Sequence, residues 1–181
     1  MTNGYDEARG QRNVLERLGD KIPGFRGFQD RELRRDVDKM QREHLSTELG
    51  RLKAALRDKA RSYTDAGKIG ALSAFDRLDR QLDGLSQAVR FSDYGASGLF
   101  DAVKIGDAEL QRLYAFDLSV LQDVEDIEGL VAAVPDPGGA PGGEDPAKAL
   151  DPVQQRMRVL EDKWKQRELV ISSVVKTGAG D

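Results

Sequence analysis

Apolar side chains recur at intervals of three and four along most of this chain, the spacing that aligns them on one face of an α-helix. Between Asp6 and about Asp20, the positions Ala8, Val14, Leu15 and Leu18 predict a short first helix, with Gly19 near its C-terminal end. A long helix is predicted from Gln29 or Asp30 to about Ala66. Its stripe runs through Leu33, Val37 and Met40, resumes at Leu45, Leu49, Leu52 and Leu56, and ends on Ala60 and Tyr63. The five-residue step from Met40 to Leu45 breaks the heptad register, so the stripe drifts or skips there. A helix of about 36 residues at 1.5 Å each is on the order of 54 Å long.

After Gly67-Lys68-Ile69-Gly70 comes the most regular heptad stripe: Leu72, Phe75, Leu78, Leu82, Leu85 and Val89. A third long helix is predicted from Asp107 to about Val134, on Leu110, Leu113, Phe116, Val120, Val124, Ile127, Val131 and Val134. Tyr114, Leu118, Leu121 and Leu130 widen this stripe, so this helix should touch two neighbours and sit most centrally. A last helix opens with Asp151 as its cap and Pro152 at its first position, and carries Val153, Met157, Leu160 and Trp164 on one face. Leu169 to Val175 is the one β-branched cluster, read as a strand or a fraying helix end, with Gly178 to Asp181 as a disordered tail.

The segments between these stripes differ in kind. Ile22-Pro23-Gly24-Phe25-Arg26-Gly27-Phe28 and Phe91 to Phe100 combine glycines with aromatics, as ordered connections packed on the ends of a bundle would. Residues 135 to 152 hold five of the six prolines and four of the 19 glycines, the composition of a flexible, solvated linker. The expected fold is therefore all-α: an antiparallel, coiled-coil-like bundle of long helices over residues 1–134, a Pro/Gly linker over 135–152, and a tethered C-terminal helix and tail over 153–181. Whether that helix folds back onto its own bundle or docks on another molecule stays open, since a long tether permits both.

Composition narrows the chemistry. The 181 residues are 33% charged and 39% hydrophobic but only 6% aromatic, a balance of long amphipathic helices. No run of 18 apolar residues exists, and the first 25 residues have acids and no continuous apolar stretch, so neither a membrane span nor a secretory leader is expected. A cytoplasmic protein is expected, with peripheral attachment to the inner membrane as its alternative placement. With no cysteine, disulfides, thiolate catalysis, iron-sulfur clusters and cysteine-zinc sites are excluded, and a single histidine removes most transition-metal and Ser-His-Asp designs.

Charge is unevenly spread. Residues 1–61 carry 15 Lys/Arg against 11 Asp/Glu, residues 62–146 carry 6 against 16, and residues 147–181 carry 7 against 5. An acidic middle in an overall acidic chain argues against sequence-specific nucleic-acid binding, and fits contact between segments or subunits instead.

Three constellations invite chemistry, and each has a plainer reading. His44 and Glu48 share a helix face and could give a metal two ligands, too few for a site. Asp123, Glu125, Asp126 and Glu128 could hold a hard cation, yet they alternate with Val124 and Ile127 at core spacing, as a solvated helix face does. Arg9, Arg12, Arg17, Lys21 and Arg26 lie near Phe25 and Phe28 as a membrane-surface device might require, but four acids lie among them. No catalytic, metal or cofactor-binding residues are expected.

Ile22-Pro23-Gly24-Phe25-x-Gly27-Phe28, followed by Glu32, Arg34, Arg35 and Asp38-Lys39, and later by Asp93-Tyr94-Gly95 and Gly98-Leu99-Phe100-Asp101-Ala102-Val103-Lys104, resembles a family of small bacterial helical proteins. These accompany membrane-scaffold genes of the flotillin-like (SPFH) type. The resemblance covers roughly residues 14 to 130 and brings no activity and no catalytic residues. It implies membrane-associated assemblies.

The expectation is a non-catalytic helical scaffold or adaptor that acts through protein–protein contact and associates with itself, with a peripheral membrane-associated scaffold or envelope-stress protein as runner-up. Phe25 and Phe28 in the first loop, and Met157, Leu160 and Trp164 on the last helix, are its candidate partner-binding residues. Tryptophan is the residue type most enriched at binding hot spots, which points to Trp164 above all.

Overall fold

The computed structural model describes residues 14, 16–23, 31–92, 107–138 and 147–178. Among them are four long helices and no strand: α1 (Arg31–Asp65), α2 (Leu72–Phe91), α3 (Asp107–Ala133) and α4 (Asp151–Gly178). A helical segment over residues 16–21 precedes them.

The stripe positions become the core. Leu49, Leu52 and Leu56 of α1, Leu78 and Leu82 of α2, Ile127 of α3, and Met157 and Leu160 of α4 are all almost completely buried in one cluster. Leu18 and Ile22 of the N-terminal segment join the same cluster, and Lys21 pairs with Glu125 of α3. The described part of the short first helix is therefore packed on the bundle. Phe25 and Phe28 lie outside the described residues, as does the connection between α2 and α3.

α1 ends because Gly67 adopts φ +71°, a left-handed conformation that costs a side-chain-bearing residue about 1–2 kcal/mol. Gly67 N–H donates to Thr64 O (2.9 Å) and Lys68 N–H to Tyr63 O (2.8 Å), the paired bonds of a Schellman cap. A 3₁₀ turn, Ile69–Ala71, then runs directly into α2. Tyr63 and Phe75 meet across this hairpin with ring centroids 5.4 Å apart.

Directions follow from the cross-contacts. Tyr63 Oη near the end of α1 donates to Pro135 O just past the end of α3 (2.7 Å), and Lys59 pairs with Asp136 (2.7 Å), so α1 and α3 run the same way. Arg167 late in α4 reaches Asp117 early in α3, so that pair is antiparallel. Two antiparallel hairpins, α1–α2 and α3–α4, thus pack with α1 beside α3 and α2 beside α4. The α2–α4 contact is the loosest of the four seams. As expected, α3 has two neighbours, α1 and α4, but α1 is equally central.

Both described ends of the Pro/Gly stretch are structured. Pro135 and Asp136 hold α1, while Leu150 is fully buried at the end of a 3₁₀ turn, Lys148–Leu150, that leads into α4. Asp151 consequently already has helical angles (φ −58°, ψ −43°) and sits in the first turn rather than capping it. Residues 169–175 are helical. A lone strand has no ladder partner, whereas adding residues to a nucleated helix gains one hydrogen bond each.

Candidate functional site

The expected partner face of α4 points inward. Met157 and Leu160 are completely buried and Trp164 is 7% exposed, all within the shared core, so this face covers the rest of its own chain. The guanidinium of Arg167 lies 5.1 Å from the Trp164 ring centroid, a cation–π distance.

Around Trp164 the core turns polar. Gln41 and Arg42 of α1, Asp117 of α3 and Arg167 of α4 are all buried, and they line a cavity of about 10 Å³ together with Leu45, Val120, Leu121 and Trp164. Arg167 Nε donates to Asp117 Oδ1 at 2.9 Å and Nη2 to Oδ2 at 3.3 Å, a two-pronged pair between facing helices. Buried Gln41 Nε2 has no hydrogen-bond partner among the described residues. The space is about the size of one water, so the cluster is a polar lock rather than a substrate pocket.

Sequence reasoning did not single out this cluster, although its signal was present. The break between Met40 and Leu45 sets Gln41 and Arg42, in place of leucines, at the inward position. Asp117 lies inside the widened stripe, between Phe116 and Leu118.

Three acids of the run on α3, Glu125, Asp126 and Glu128, are exposed as on a solvated face, and Asp123 is the exception. Asp123 is 3% exposed and forms ion pairs with Arg156 (2.9 Å) and Lys163, while Arg156 also reaches Asp126. Glu125 pairs with Lys21. Asp123 alone is covered, because α4 brings Arg156 and Lys163 over it, while Glu125, Asp126 and Glu128 stay exposed. His44 Nδ1 lies 3.9 Å from Glu48 Oε1, which Arg51 Nη1 approaches at 2.7 Å. Burial pulls the imidazole below its ordinary pKa, against the opposing pull of Glu48. No cluster of three or more metal-ligating side chains occurs among the described residues.

Large apolar side chains remain in water at a few places. Phe91 closes α2 at 67% exposed and Leu169 lies late in α4 at 69%. α2 and α4 run in parallel, with residues 77–84 set against 154–161, and this register brings Phe91 within about one helical turn of the level of Leu169. Two exposed apolar residues on adjacent helices thus lie at the level where α2 ends, while α1, α3 and α4 run on past it.

Among the described residues, no helix is long and apolar enough to cross a membrane. Comparison of the chain with protein-family models, curated proteins and solved structures finds no match.

Proposed function

We propose that this chain is a non-catalytic helical scaffold or adaptor that works through protein–protein contact and associates with itself. The observation that supports it is the pairing of a closed core with apolar residues left outside: Phe91 and Leu169 lie near one level, on neighbouring helices, while stripe residues of all four helices form one buried cluster. Apolar surface of this kind is stabilised by burial against another surface, at about 25 cal/mol per Å². The partner face is accordingly the surface around Phe91 and Leu169, with Phe25 and Phe28 as further candidates, and not the buried Met157–Leu160–Trp164 stripe.

Light scattering on size-fractionated protein tests this reading. A mass that rises above 20.0 kDa with concentration, and falls back in Phe91→Ser/Leu169→Ser, supports it. A mass that stays at one chain over the whole concentration range overturns self-association.

The runner-up places the same bundle in the cytosol against the inner membrane, as the resemblance to proteins that accompany flotillin-like scaffolds implies. Exposed apolar residues on a charged body suit a membrane surface as well. Co-sedimentation with anionic vesicles is its test, and a protein that stays in the supernatant excludes it.

A further inference from the structure

The four seams of the bundle are not held alike. Across α1–α2, Lys53 pairs with Asp79 and Asp83, and Arg57 forks onto Asp79 at 2.8 and 3.1 Å. Across α3–α4, Asp117, Asp123 and Asp126 meet Arg167, Arg156 and Lys163. Lys59 and Tyr63 tie α1 to the end of α3. The α2–α4 seam has no ion pair among the described residues, because α2 has turned Asp79 and Asp83 toward α1.

What remains on that seam is positive. A groove of about 390 Å³ is lined by Arg77, Arg80, Gln81 and Gly84 of α2 and by Gln154, Arg158 and Glu161 of α4. Each set follows helical spacing, so each is one face of its helix. Arg77, Arg80 and Arg158 are exposed, and none makes an ion pair among the described residues. A Cβ placed on Gly84 would meet nothing within 4 Å, so the groove stays open there. Three guanidinium groups on opposing walls against one carboxylate give the groove lining a net charge of about +2.

We propose that the α2–α4 groove binds a phosphate-type polyanion through Arg77, Arg80 and Arg158. Guanidinium forks match the oxygen geometry of phosphate, and two glutamine amides beside them add donors. The volume lies in the range of roughly 300–1,000 Å³ typical of small-ligand sites. Bound anion bridges the two walls, so it tightens the weakest contact of the bundle. Glu161 opposes the anion, and it faces the part of the ligand that carries hydroxyls rather than phosphate oxygens. Burial raises its pKa, which makes this carboxyl easier to neutralise. The same chemistry is offered by a soluble phosphate compound and by a phospholipid headgroup. This groove is separate from the Phe91–Leu169 surface, so it stands whether or not the chain self-associates.

The test uses the full chain and pyrophosphate as probe. At matched ionic strength, pyrophosphate at about 100 times its Kd should raise Tm by about 5–10 °C over chloride. Arg77→Gln/Arg158→Gln should lose that shift and weaken binding at least about tenfold. Arg158→Glu should raise Tm in chloride, since it places a carboxylate across from Arg77 and Arg80, and should abolish the pyrophosphate response. In a parallel arm, vesicles of phosphatidylcholine with and without phosphatidylglycerol are sedimented with the native chain and the double glutamine variant. A pyrophosphate shift without vesicle binding assigns a soluble ligand. Vesicle binding that needs both arginines, without the shift, assigns a headgroup. Neither response, or responses that survive the double variant, overturns the proposal.

Discussion

Asp117 and Arg167 are both nearly closed to water, at 6% and 3% exposed, and they bind each other as a charge-assisted pair. Removing one member of a buried pair takes its charge-assisted hydrogen bonds from the other, at about 3–5 kcal/mol. Asp117→Ala should therefore lower Tm by at least about 6 °C in a chain of this size. Asp117→Leu/Arg167→Met, which removes both charges, should recover most of that loss. A single variant that melts like the native protein would show that water reaches Arg167. His44 gives a second test at this scale, through pH. Burial is the largest cause of its lowered pKa; Glu48 opposes it, Arg51 lowers it further, Glu125 raises it and Lys21 lowers it. The folded chain thus binds this proton less readily than the unfolded chain, whose histidine titrates near 6.5. The stability carried by neutral His44 is fully present above that value and is lost as pH falls through the lowered folded value. Urea melts between about pH 8 and pH 5 should show this slope in the native chain, and His44→Gln should flatten its part. An identical slope in the variant would place the titration elsewhere.

At the scale of the element, apolar spacing carried most of the information. The stripe through Leu72, Phe75, Leu78, Leu82, Leu85 and Val89 became α2 almost residue for residue, because a helix buries one face and hydrophobic burial dominates its placement. The same spacing was silent on partners. Val153, Met157, Leu160 and Trp164 form an equally good stripe whether they face α3 of the same chain or another molecule, and periodicity does not encode which. Charge did encode it: Arg156 and Lys163 flank that stripe at the spacing needed to meet Asp123 and Asp126 of α3. The polar lock was hidden because a register break reads as a defect in one helix until its neighbours are placed around it. Trp164 decides between core and partner roles. Trp164→Ala should cost about 3–5 kcal/mol, as for a large buried aromatic, measured by urea unfolding of the monomer at low concentration. Normal stability together with lost self-association would return Trp164 to the partner face.

Across the whole molecule, net charge of −4 conceals an ordered division of sign. The acidic centre of the chain lies between two more basic parts, and folding sets α1 cations on α2 acids and α4 cations on α3 acids, while Arg77, Arg80 and Arg158 of the α2–α4 groove form no ion pair among the described residues. Individually, exposed pairs of this kind contribute about 0–1 kcal/mol, so they align the hairpins more than they stabilise them. The larger share comes from burial. Leu150, Val153, Met157, Leu160 and Trp164 all enter the core from the last part of the chain, and at about 1.5–3 kcal/mol each their sum is on the order of 10 kcal/mol. That is comparable to the roughly 5–15 kcal/mol by which a domain is stable at all. Deleting residues 139–181, which leaves Pro135 and Asp136 in place to hold α1, should therefore abolish cooperative thermal unfolding and produce a helical but loosely packed chain. Circular dichroism with calorimetry reads both properties. A truncated chain that keeps a sharp transition near the native Tm would mean that α1, α2 and α3 close a core without α4, and that α4 is free to dock elsewhere.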